Sequence, residues 1–175
     1  MLALFALLIA NCIPLAGVIF WEWNLYYVML LYWAENVAVG LWTAARIASL
    51  GRPLMIPFFS LHYGLFMFAH LMAVTQLFGQ AEPFVQTLQE LRYPILALIL
   101  SHGVSFYYHF LETGRFETAK LGDEMGRPYK RMAILHITII FGGLLVDVLG
   151  APLAALMLLI ILKTFFDGYL SKSTH

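Results

Sequence analysis

The chain has 175 residues, 62% of them hydrophobic and only 11% charged, with a formal net charge of zero. This excludes a soluble domain, since too little polar surface exists to cover the apolar mass, and points to lipid as the main solvent. No basic patch reaches the density that nucleic acid requires, and the single cysteine, Cys12, excludes an internal disulfide.

Residues 2–20 are apolar except at Asn11, Pro14 and Gly17 and predict a first membrane span, kinked near Pro14. No basic residue precedes them, as a signal peptide would require. Trp21-Glu22-Trp23-Asn24 predicts an aromatic turn at the interface. The second span, 25–48, carries Glu35 and Asn36 near its middle and exits at Arg46 and Arg52. The third, 57–78, holds His62 and His70. Residues 79–92 predict a loop or an interfacial helix. The fourth span, 93–111, carries His102 and His109.

Residues 112–130 are the one hydrophilic stretch, and Gly114, Gly122, Gly126 and Pro128 predict an irregular loop there. The fifth span, 131–149, has His136 near its start, Gly142-Gly143 for close helix contact and Asp147 near its end. Gly150-Ala151-Pro152 turns into a sixth span, 152–170, where Lys163 and Asp167 are spaced for an ion pair one turn apart. The expected architecture is a single all-α domain over 1–175, a six-helix transmembrane bundle.

Basic residues set the orientation. With the N-terminus inside, Arg46, Arg52, Arg115, Lys120, Arg127, Lys130, Arg131, Lys163 and Lys172 fall on the cytoplasmic side, and Arg92 alone falls outside. The expected location is the membrane, multi-pass, with both termini cytoplasmic and lipids as the surrounding partner.

Ionisable side chains inside a membrane span are costly and mark function by default. At a rise of about 1.5 Å per residue, His62 and His136 lie roughly 7 Å from the cytoplasmic ends of their spans, with His109 and Asp167 nearer the boundary. Glu35, His70 and His102 form a deeper stratum. His102 and His109, seven apart, are expected on one helix face. Imidazole and carboxylate together suit a metal ion, zinc or iron above all. The expected ligands are His62, His109, His136 and Asp167, with His70 and His102 as further cofactor-binding candidates.

Glu35 is then a buried general acid or base, and Lys163 orients Asp167 or binds an anionic headgroup. The expected function is a metal-dependent step on a lipid-soluble or small substrate near the cytoplasmic leaflet. The alternatives are a proton or metal-ion transporter, a haem protein with two axial histidines, and a non-catalytic subunit of a membrane complex or homo-oligomer. Each residue has a structural alternative as well: a protonated, hydrogen-bonded Glu35, and histidines satisfied within the core. Glu35→Gln is expected to preserve the fold and remove function. No His-Glu-x-x-His or Glu-x-x-His motif names the chemistry, and no Gly-x-Ser-Gly turn supports serine proteolysis.

Tyr32-Trp33-x-Glu35-Asn36, then Phe58-Phe59-x-x-His62-Tyr63-Gly64-x-Phe66-x-x-x-His70, then Pro128-Tyr129-x-Arg131-x-x-x-Leu135-His136 and Lys163-x-x-x-Asp167 resemble a family of prokaryotic membrane proteins catalogued as a domain of unknown function. The likeness spans most of the chain from Trp23 onward, without the fourth span. It implies a polytopic helical protein with a polar interior and implies no activity.

Overall fold

The structure, a computed structural model, describes residues 16–18, 20–79 and 83–149, with side chains to residue 144. All regular structure among them is helical. Most of the first expected span, the whole sixth with Lys163 and Asp167, and the Asp147 side chain lie outside the described residues.

Three helices are long and apolar enough to cross a membrane: α1 (Leu25–Ser49), α2 (Met55–Phe78), and α4 (Arg92–Phe106) with the π-helical turn Tyr107–Leu111 that continues it. Their bounds match the expected second, third and fourth spans to within two residues. The short helix α3 (Phe84–Glu90) occupies the connection from α2 to α4, and α5 (Leu121–Leu149) follows a single 3-10 turn at Arg115–Glu117.

Helix α1 is the centre. Asn24 caps it, its Oδ1 accepting from the amides of Tyr26 and Tyr27 at 3.0 and 3.3 Å. Every residue from Leu25 to Tyr32 is buried, so this end has no solvent-facing stripe and is packed on all sides. Helices α2, α4 and α5 surround it.

Cross-helix bonds from side chain to backbone fix the registers. Trp33 Nε1 donates to the Met67 carbonyl at 2.7 Å and Tyr63 Oη to the Asn36 carbonyl at 3.0 Å, so α2 runs antiparallel to α1. Trp42 Nε1 donates to the Ile99 carbonyl at 2.9 Å, and Tyr27 Oη to Glu90 Oε2 at 2.8 Å just before α4 begins. Those two pairs ascend together, so α4 runs parallel to α1. In an apolar interior such bonds are worth about 0.6–2 kcal/mol each.

Neighbouring helices approach closely at Gly40, where an added Cβ would lie 2.5 Å from Tyr63 Cε1, and at Gly103, 2.5 Å from Trp42 Cζ2. Gly143, expected at a tight contact, has room: its nearest neighbour would be Leu77 Cδ1 at 3.4 Å.

Helix α5 corrects the sequence expectation. It begins ten residues before 131, through Gly122, Gly126 and Pro128, where a loop is expected. Two glycines cost a helix about 1 kcal/mol each, and proline removes a backbone bond. The buried ion pairs of Glu124 in this segment offset that cost. Glu124, on α5's first turns, is buried against Arg46 of α1 at 3.1 Å and Arg127 at 3.4 Å. The Arg46 guanidinium also lies 4.8 Å from the Phe110 ring centroid.

Candidate functional site

Two stripes of heptad-spaced residues run along α5. Glu124, Arg131 and Thr138 face α1, where their neighbours are Arg46, Glu35 and Asn36. Tyr129, His136 and Gly143 face α2, against His62, His70 and Leu77. Seven residues make two turns with an offset of only about 20°, so each stripe stays on its partner.

At the middle of the first stripe lies Glu35, 3% exposed. Arg131 Nη2 of α5 donates to its Oε1 at 2.6 Å, and His102 Nε2 of α4 lies 3.5 Å from the same oxygen. A carboxylate so deep among apolar side chains needs a cation, and Arg131 supplies it. Beside this pair is a cavity of about 20 Å³ bordered by Tyr32, Glu35, Asn36 and Thr138. Asn36 Nδ2 donates to the Tyr32 carbonyl at 2.9 Å, which fixes the amide's orientation. Its buried Oδ1 has no hydrogen-bond partner among the described residues. A single water needs about 10–15 Å³, so the cavity admits one donor molecule for that oxygen.

On the second stripe, His70 Nδ1–H donates to the Phe66 carbonyl at 2.7 Å, since a carbonyl can only accept. In the neutral ring this leaves Nε2 as acceptor, and His136 Nδ1–H approaches it at 3.1 Å. His62 Nδ1 is joined to Tyr129 Oη at 2.6 Å.

The strata therefore differ from those counted along the sequence. His136 pairs with His70, not with His62, because α5 starts at Leu121 and His136 stands fifteen residues into it. His102 and His109 do not act from one face. His109 lies within the π turn Tyr107–Leu111, whose wider winding shifts the register, so His102 meets Glu35 while His109 is exposed. Among the described residues no group of three or more His, Cys, Asp or Glu side chains is gathered as a metal site needs. Lys163 and Asp167 lie outside the described residues.

Arg131, Glu124 and Arg46 are missed as interior residues when the sequence is read for topology, because each sits where a loop charge is expected. The Glu124-Arg131-Thr138 spacing is the signal that marks the two on α5. The fold and site define an all-helical protein with helices suited to a membrane and a charged interior site. The chain belongs to a family of unknown function, DUF6498, whose model matches residues 1–175. Neither the curated proteins nor the solved structures contain a match to it.

Proposed function

We propose that this is a six-span protein of the prokaryotic inner membrane, both termini cytoplasmic, that passes protons through an interior site built on Glu35, Arg131 and His102. The observation that carries the reading is one carboxylate oxygen shared by two cationic-type groups, with Arg131 at 2.6 Å and His102 at 3.5 Å. Arginine keeps its charge at any working pH, whereas imidazole is the side chain that changes charge between about pH 5 and 8. The Glu35–Arg131 pair is neutral as a unit. His102 adds a site where a proton can arrive and be held by the same carboxylate, then leave without disturbing the pair.

The cavity size favours a proton path over catalysis. About 20 Å³ among the described residues fits one water beside Glu35 and Asn36. Purified protein in vesicles with an internal pH dye, under a potassium diffusion potential, is expected to carry protons above the protein-free rate. His102→Gln is expected to return the rate to that baseline. Wild-type vesicles indistinguishable from protein-free ones, or a fully active His102→Gln, would overturn the reading.

A metal centre, zinc or iron, is the second reading, favoured by the His70–His136 pair. Two nitrogens bound at about 2.0–2.1 Å to one tetrahedral ion stand about 3.3 Å apart, close to the observed 3.1 Å. Near-stoichiometric metal that survives gel filtration and is lost in His70→Ala would support it. A Soret band in the purified protein would instead mark haem.

A further inference from the structure

A second polar pocket lies at the end of the bundle where α1 stops and α5 begins. Its volume is about 240 Å³, and Arg115, Thr118, Lys120, Asp123, Glu124 and Arg127 line it. The Glu35 site is about 10 Å away along α5, seven residues at the helical rise.

The charges there do not balance. Glu124 is already held by Arg46 and Arg127. Asp123 is the other acidic residue of the lining. Arg115 and Lys120 have no carboxylate at ion-pair distance among the described residues. Arg115 and Arg127 both stand within electrostatic reach of Arg46. Three cations and two carboxylates thus line the concave space, and because Arg46 also binds Glu124, like charges repel there unless an anion joins them. The lining is also chemically suited to one kind of anion. Arginine presents a planar fork to paired oxygens, lysine adds a mobile point charge, and Thr118 adds a hydroxyl.

We propose that this pocket binds the phosphate group of an anionic ligand, with Arg115 and Lys120 as its direct holders. Loose basic charge at a membrane boundary would attract anionic surfaces diffusely. A pocket with two unpaired cations facing inward binds one phosphate saturably. The volume suits a phosphate with part of its hydration and falls below the about 300–1,000 Å³ of drug-sized sites. In the proposed orientation the pocket opens at the cytoplasmic leaflet, so the phosphate belongs either to a lipid headgroup or to a free anion. The inference does not depend on proton passage at Glu35.

The test compares the full-length protein with two double variants, each checked for a monodisperse profile in gel filtration. Arg115→Gln with Lys120→Gln removes the pocket cations and leaves Arg127 on Glu124. Arg52→Gln with Lys130→Gln removes the same charge outside the pocket. Native mass spectrometry with phosphatidylglycerol and phosphatidylcholine, and thermal melts with inorganic phosphate, read the binding. Retention of about one phosphatidylglycerol, not phosphatidylcholine, by the wild type would identify the headgroup as the source. A saturable rise of the melting midpoint with inorganic phosphate, without lipid preference, would identify a free anion. In either case the pocket variant is expected to lose at least tenfold in affinity and the outside variant less than twofold. Equal losses in both variants, or no binding of either probe by the wild type, would overturn the proposal. Should the glutamine pair fail to fold, Arg115→Lys serves in its place, since it keeps the charge and loses the fork.

Discussion

Glu35 is the residue on which the interior depends, and its partner changes what a substitution there should do. Read alone, a midplane carboxyl can be replaced by its amide with little effect on folding. With Arg131 at 2.6 Å, the amide leaves a partly buried guanidinium without the charge of Glu35. Removing one member of a buried pair costs about 3–5 kcal/mol, whereas replacing both by apolar groups is often neutral. Glu35→Gln should therefore lower thermal stability in detergent distinctly, and Glu35→Gln with Arg131→Met should recover most of the loss. Asn36 is a milder case. Asn36→Leu removes the partnerless oxygen along with its amide, so stability should change by less than about 1 kcal/mol while proton flux falls. Unchanged flux in a folded Asn36→Leu would mean that the cavity beside Glu35 takes no part in transfer.

Among the elements, α1 makes the tightest contacts, and glycine permits them. At Gly40 the facing Tyr63 ring stacks on Phe59 at 5.3 Å and is held by its bond to Asn36. It cannot swing away from an added methyl. Trp42 opposite Gly103 is similarly held by Ile99. Gly40→Ala and Gly103→Ala should each cost about 1–3 kcal/mol in thermal melts, despite alanine's better helix propensity. Gly143→Ala, which would meet Leu77 Cδ1 at an ordinary contact distance of 3.4 Å, should be neutral or slightly stabilising. The apolar elements were legible as sequence because unbroken apolar length is itself the physical requirement for crossing lipid. The start of α5 was not. Glycine, proline and charge are local evidence for a loop, and only the distant partners Arg46 and Glu35 turn that polar stretch into a helix face. The π turn around His109 escaped for a similar reason, since nothing in the local spacing marks the wider winding.

For the whole molecule, the basic residues argue a topology, though two of the nine assigned to the cytoplasmic side are interior partners. Arg46 is bound to Glu124 and Arg131 to Glu35. The remaining seven still outweigh Arg92, so a reporter fused at the C-terminus should be cytoplasmic, and external labelling there would mean an odd number of spans. The metal cluster expected on His62, His109, His136 and Asp167 placed His136 at a depth counted from Arg131. Counting from the true start of α5 couples His136 to His70 instead, and a depth estimate is only as good as its helix boundary. Site, packing and function all rest on α1, α4 and α5 meeting at Glu35. A charge exchange tests that meeting most directly, with Glu35→Arg, Arg131→Glu and the double variant compared by their folded, monodisperse yield in gel filtration. Each single exchange places two like charges at the centre of the bundle and should collapse the yield, and the double exchange should restore a large part of it. Single variants as well folded as the wild type, or a double variant no better than the worse single, would contradict the pairing and the account built on it.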